Sequence, residues 1–404
     1  MSERNKESEK KALQETSPAF IFNRLEFSGS LGDLGTLLPI AIGMIVLNGL
    51  NVTNVMVTVG LFYIVSGFYF KVPTPVQPMK VIGAYAIAVG LTPTQIIASS
   101  LWMGIFVLVL GTTGLIHLIA KYTPKCTVRG VQLGVGVVLM GKGINFMLQP
   151  DPNLVVQSIG PINTGIVLGV VGMAATLLLL ENRKVPAAVM VIMGGIIVGL
   201  FIGKPLKMEE LKIGFHFPQF FPYGLPSGSD MLWVLPVVVL PQIPMTIGNA
   251  ILSNTDVMHE YFGKRAHRAT YKSIANSQGI ANIISFAWGG ISLCHGAGGL
   301  AAMYRFGART AAANLMIGGI FIALALIFGR NALPILNLLP LSVLGVLLVF
   351  AGAQLALMVQ DLTARKDLFV TLLMLGITLT VNLAVAFICG VIIAYALKSD
   401  RIKV

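Results

Sequence analysis

The chain has 404 residues, 55% of them hydrophobic and 11% charged, with 28 Lys and Arg against 16 Asp and Glu. A soluble domain carries about 25% charged residues, so this composition excludes a water-soluble globule and points to a polytopic, all-α membrane protein. The formal net charge of +12 raises nucleic acid as a partner, but the distribution of that charge along the chain argues against it.

Residues 1–26 read as a cytoplasmic N-terminal tail. The first twenty are polar and charged, with no apolar core ahead of a small-residue cleavage site, so they are read as disordered rather than as a signal peptide. A spanning helix needs about 20 apolar residues. In the first repeat, 27–203, the apolar segments are Leu31–Leu47, Thr53–Phe70, the short Pro78–Val89, Thr94–Ala120, Val128–Leu148, Asn163–Leu180 and Val185–Ile202. Residues 204–230 hold Pro205, Pro218, Pro222 and Pro226 among aromatic residues, and read as an extracellular linker between two repeats. The second repeat, 231–398, holds Leu232–Leu252, Tyr271–Trp288, the very short Gly298–Met303, Thr310–Phe328, Ile335–Leu357, Asp367–Asn382 and Leu383–Leu397. The last two also read as one long helix. Residues 399–404 form a short cytoplasmic C-terminal tail.

These segments number about 14, seven in each repeat. With the N-terminus inside, nearly every Lys and Arg falls on the cytoplasmic side, as positive charge should. Only Lys204, Lys207, Lys212 and Arg330 fall outside, and Lys80 and Lys142 lie within segments. The net charge is thereby explained by topology and anionic lipid rather than by nucleic acid. An odd number of spans per half gives the halves opposite orientation, so they would be inverted repeats.

Each half contains a helix-breaking motif in apolar surroundings, followed by a stretch too short to cross a bilayer. The first is Pro75-Val76-Gln77-Pro78-Met79-Lys80 and the second Cys294-His295-Gly296-Ala297-Gly298-Gly299. In lipid, an interrupted backbone is tolerated only where protein or a water-filled cavity surrounds it. Two such breaks at matching places mark a transporter's binding site. Pro78 suits a first helical turn, and a helix N-terminus inside the membrane attracts anions. Gln77 supplies an amide donor and Lys80 a full charge. The alternative is a kinked helix end with Lys80 reaching for the cytoplasm. In the second break, Gly296, Gly298 and Gly299 permit backbones that aim successive N–H groups at one point. His295 adds a titratable donor, and Arg305 follows in the next turns. The alternative is a small-residue seam between helices.

Each half also opens with a distinctive segment. In Gly32-Asp33-Leu34-Gly35-Thr36, Asp33 is a carboxylate at membrane depth, where ionisable groups are costly and usually functional. It reads either as a proton carrier or as a cap for the helix that follows. Pro241-Gln242-Ile243-Pro244-Met245-Thr246 puts the Gln242 amide and the Thr246 hydroxyl on one helix face, to meet either an oxyanion or another helix. The three cysteines and five histidines show no metal or disulfide spacing. No nucleophile–base pair or phosphate-binding Walker sequence appears, so the chain reads as no enzyme, with no cofactor.

These motifs, with Leu240-Pro241-Gln242-Ile243-Pro244 and the run Tyr304-Arg305-Phe306-Gly307-Ala308-Arg309, resemble the molybdate transporter family, a branch related to the sulfate permeases, over about Phe27 to Leu397. The resemblance implies the seven-plus-seven inverted-repeat fold, with two half-helices meeting at the midplane and a core domain moving elevator-like against a gate domain. The chain departs from many sulfate permeases in ending at Val404, right after the last helix, so no STAS domain is expected. The site it implies comprises Thr36, Gln77, Pro78, Lys80, Gln242, Thr246, His295, Gly296, Gly298, Gly299 and Arg305, with Asp33 and His295 as proton-coupling candidates. The expected function is molybdate import across the plasma membrane by secondary active transport, with proton symport. The alternatives are a sulfate, bicarbonate or other oxyanion permease, or an anion channel of the same fold. Expected partners are molybdate or sulfate, membrane lipid and a second copy in a homodimer.

Overall fold

The computed structural model describes residues 18–182, 185–205 and 214–398. The expectations for residues 1–17 and 399–404, and the side assigned to Arg183, Lys184, Lys207 and Lys212, lie outside the described residues. In the first half, α1 (Arg24–Leu31) meets α2 (Leu34–Asn48) at a bend of 47°. Then come α3 (Val52–Phe70), a short strand β1 (Gln77–Pro78), α4 (Lys80–Val89), α5 (Pro93–Thr113), α6 (Ile116–Tyr122) and α7 (Lys125–Leu148). A small hairpin, β2 (Ser158–Ile159) and β3 (Ile162–Asn163), leads to α8 (Thr164–Leu179) and α9 (Ala187–Ile202).

The second half opens with one long helix, α10 (Gly228–Ala266). It is followed by α11 (Tyr271–Ala287), β4 (Leu293–Cys294), α12 (Ala297–Phe306), α13 (Ala312–Phe328), α14 (Leu341–Ala356), α15 (Arg365–Thr380) and α16 (Leu383–Ala396). Among the described residues, six helices are long and apolar enough to span a membrane, or seven if α1 and α2 form one span. With the large hydrophobic residues exposed along them, they make this a multi-pass membrane protein, because such surface has no favourable solvent but lipid.

Several elements depart from the sequence reading. The segment expected over Thr94–Ala120 is two helices, because Gly114 closes α5 at φ +76°, a left-handed conformation that ends a helix at no steric cost. The segment expected over Leu232–Leu252 runs on in both directions within α10. Its Pro241 and Pro244 cannot donate to the preceding turn, and wide turns at Leu235–Val239 and Thr246–Ser253 bracket them. The helix expected from Ile335 starts at Leu341, just after Pro340. The last two segments are separate helices: α15 stops at Thr380, and the Asn382 side chain accepts from Val385 N at 2.9 Å to start α16. The fold is mostly helical, as expected, with two short antiparallel strand pairs added to it.

Three helix pairs dominate the packing: α3 against α13, α5 against α11, and α7 against α14, with α15 also on α7. The α7–α14 seam rests on small residues. A Cβ at Gly136 would strike the Gly352 carbonyl, and one at Gly352 would strike that of Gly136. Between membrane helices no hydrophobic gain drives association, so close backbone approach of this kind supplies the attraction.

Candidate functional site

The two helix breaks lie side by side. Strands β1 and β4 pair antiparallel, Gln77 opposite Cys294 and Pro78 opposite Leu293, and Met79 N donates to Ser292 O at 2.8 Å. Each break is pinned by a buried asparagine. Asn314 on α13 donates to Thr74 O at 2.6 Å and accepts from Thr74 N at 2.9 Å. Asn282 on α11 donates to Leu293 O at 2.7 Å and accepts from Leu293 N at 2.9 Å. Extended backbone buried at this depth must find every partner in the protein, and these amides supply them.

Asp33, fully buried between α1 and α2, makes no side-chain cap of α2. Its carboxylate instead accepts from the Tyr63 hydroxyl at 2.6 Å, Val76 N at 2.7 Å and Gln77 Nε2 at 2.6 Å. It therefore binds the first break to α3 and to the α1–α2 bend. Gly299 of α12 packs on this cluster, where a Cβ would collide with the Asp33 carboxylate, the Gln77 amide and Pro75. Gln77 Oε1 is buried, has no hydrogen-bond partner among the described residues and faces Gly296.

Helices α4 and α12 start from these breaks, neither with a side-chain cap at its N-cap residue, Met79 and Gly296. At α4 the orphan donors are met from a distance. Gln242 Oε1 on α10 accepts from Val81 N at 2.9 Å and Ile82 N at 3.4 Å, and its Nε2 donates to Thr246 Oγ1 at 2.9 Å. At α12, Gly298 is exposed, with nothing within 4 Å of where a Cβ would stand.

Beside these starts lies a cavity of about 250 Å³. Thr36 and Pro39 of α2, Lys80 of α4, and Gly298 and Arg305 of α12 line one side. Thr176 of α8, Pro186 beside α9, and Leu347 and Gln354 of α14 line the other. Lys80 and Arg305 bring two positive charges, and no carboxylate is among the lining residues. A cavity of this size and sign can take a small anion, with a hydroxyl donor and a helix N-terminus within it.

Of the residues expected at the site, Thr36, Lys80, Gly298 and Arg305 meet at the cavity. Asp33, Gln77, Pro78, Gly296 and Gly299 form the packed support behind it. Gln242 and Thr246 are buried and bonded to each other, and Gln242 itself occupies two α4 N–H groups. His295 is not among the residues that line the cavity. Its Nδ1 lies 2.7 Å from Pro75 O and its Nε2 2.6 Å from Ser277 Oγ, with Phe62 stacked on the ring at 4.5 Å. Pro75 O can only accept, so Nδ1 carries the proton and Nε2 accepts from Ser277. Both nitrogens are taken, and the ring braces the first break instead of facing the cavity. The sequence reading missed Thr176 and Gln354 across the cavity, and Tyr63 and Asn314 behind it. All are polar residues in apolar helices, a signal too common to single them out.

A family model described as "Molybdate transporter of MFS superfamily" matches residues 25–139 and 235–355. Molybdate transporter 2 of Arabidopsis thaliana is 30% identical over 410 residues, covering 92% of this chain and 87% of its own length. Molybdate transporter 1 of Chlamydomonas reinhardtii is 27% identical, covering 91% of this chain and 90% of its own. Among solved structures, the transmembrane domain of a cyanobacterium bicarbonate transporter, BicA, superposes with a TM-score of 0.64 at 16% identity, over 91% of this chain and 96% of that one. The murine Solute Carrier 26 family member A9 anion transporter in its inward-facing state gives 0.64 at 14% identity, over 93% and 68%. The fold is thus the one these anion transporters share, the relatives are transporters and not enzymes, and the chain belongs to the molybdate transporter family.

Proposed function

We propose that this chain is a secondary active importer of molybdate in the plasma membrane, with both termini in the cytoplasm. The observation that carries this reading is the cavity beside the paired helix breaks. There Lys80, Arg305, Thr36 and the α12 N-terminus converge with no carboxylate, in a chain whose relatives are named molybdate transporters. A tetrahedral dianion is bound best by donors that surround it and by charges it neutralises. Gln242 already satisfies two N–H groups of α4, so the anion takes its donors from Lys80, Thr36, Arg305 and α12.

The seven-plus-seven inverted repeat, 27–203 and 231–398 about the linker 204–230, is part of the same proposal. It is supported by the way the helices pair. Under that reading α3 corresponds to α11 and α5 to α13, so the α3–α13 and α5–α11 contacts are one contact seen twice. The α7–α14 seam and the β1–β4 ladder each relate an element to its own counterpart. Helices α2–α5 and α10–α13 would then be the moving core and α7–α9 with α14–α16 the gate. The cavity lies between these groups, where an elevator movement would open it to either side. Proton coupling would run through Asp33, which touches Gln77 and follows the cavity-lining Gly32.

The test is uptake of nanomolar molybdate into proteoliposomes of the purified protein, with an imposed inward proton gradient and with or without excess sulfate. Accumulation that survives sulfate is expected. Uptake abolished by sulfate would make the protein a general oxyanion permease, and flux without accumulation would make it a channel.

A further inference from the structure

On the far side of the first break, a crevice of about 270 Å³ runs between α3 and α11. It touches none of the residues of the anion cavity. Its character changes along its length. Leu61, Phe62, Val65, Ile280 and Ile284 line it with apolar side chains, with Thr58 beyond them bonded back to its own helix, whereas Ser66, Ser273, Asn276 and Ser277 gather beside Tyr69 and Phe70 toward the end of α3 and the start of α11. Both helix ends lie on the same side of the molecule, because Arg268, just before α11, donates to Tyr69 O at 3.0 Å and lies over the Tyr69 ring. Lys71 closes α3 there and is exposed. The crevice is therefore apolar at depth, polar near its mouth and basic at the mouth. Ser66 is 2% exposed, and its Oγ has no hydrogen-bond partner among the described residues. A hydroxyl buried in an apolar wall is costly unless something accepts from it.

We infer that this crevice holds one acyl chain of an anionic phospholipid, with its ester oxygen at Ser66 and its headgroup against Arg268 and Lys71. Val65 and Ile280 are more than half exposed along the crevice, so in a chain that spans a bilayer its surroundings are lipid. An acyl chain matches the deep wall, an ester carbonyl matches the orphan hydroxyl, and a phosphate matches the two basic residues. The occupant would lean on Ser277, which donates to His295, which in turn holds Pro75 O. Lipid in the crevice would thereby stiffen the break from which α4 starts, without touching the transported ion.

The experiment is photolabelling of the full chain in nanodiscs with diazirine-bearing phosphatidylglycerol or phosphatidylcholine, followed by peptide mapping. Labels from the anionic lipid are expected on residues 58–70 and 273–284, in excess over the zwitterionic lipid by on the order of tenfold from two basic residues. Ser66→Phe should remove them by filling the crevice. Arg268→Gln combined with Lys71→Gln should bring the two lipids to parity while labelling persists, and Lys71→Gln alone, at an exposed position, should lower the preference only in part. Equal labelling of the wild type by both lipids, or labels spread evenly over all the lipid-facing helices, would overturn the assignment. Neither outcome depends on which anion is carried.

Discussion

A single carboxylate shows how much one side chain can organise in this protein. Asp33 gathers a hydroxyl, a backbone N–H and a side-chain amide from two separate segments, all where water cannot substitute. Replacing it by Asn removes the charge but need not break the cluster. The Gln77 amide can turn over, so that its unpartnered Oε1 accepts from the new amide. Asp33→Asn is therefore expected to fold, and to take up molybdate at a rate that no longer responds to an imposed proton gradient. Uptake measured at a series of outside pH values checks this. A retained response would leave Asp33 with the structural part alone. The residue's position in the membrane was legible from Gly32-Asp33-Leu34-Gly35, but its partners were not. Tyr63 and Val76 are 30 and 43 residues away, and no local pattern announces a contact of that separation.

At the scale of an element, the start of α4 is the informative case. A helix leaves its first N–H groups unpaired, and the sequence suggested that a bound anion takes them. The structure puts Gln242 there, reached across from α10. Gln242→Glu keeps an acceptor on Val81 N and Ile82 N but adds negative charge beside Lys80. Because it also loses the Nε2 donor to Thr246 and buries a charge, it is expected to lower the melting temperature as well as molybdate uptake, the latter by about tenfold or more, the scale of a lost charge-assisted bond. Gln242→Ala leaves both N–H groups bare and is expected to destabilise the fold by about 1–3 kcal/mol, seen as earlier thermal aggregation in detergent. Wild-type uptake by Gln242→Glu would place the transported ion away from the α4 terminus. His295 makes a similar point. Its residue type suggested a titrating ligand, whereas its two hydrogen bonds make it a brace.

For the whole molecule, the controlling feature is the set of close helix seams that hold the cavity-bearing groups in place. Gly352→Leu would drive a branched side chain into the Gly136 carbonyl on α7. Overpacking of this kind costs about 1–3 kcal/mol. We expect a lower yield of monodisperse protein on size exclusion and a lower melting temperature, while Gly319→Leu on α13, which meets open space, should change neither. Similar losses from both substitutions would mean that the α7–α14 seam is not what limits stability.

Sequence alone determined that the chain spans a membrane, roughly where its helices run, and that two breaks interrupt them. These follow from local composition, from prolines that cannot donate and from glycines that end helices, all of which act within a few residues. It also singled out Thr36, Lys80, Gly298 and Arg305, the four that meet at the cavity. Only the tertiary structure decided that the breaks pair as β1 and β4, that Gln242 serves α4, that His295 turns away and that α8 and α14 complete the cavity. Those choices depend on which distant groups must satisfy one another once water is excluded, and that competition is settled by packing across the whole chain.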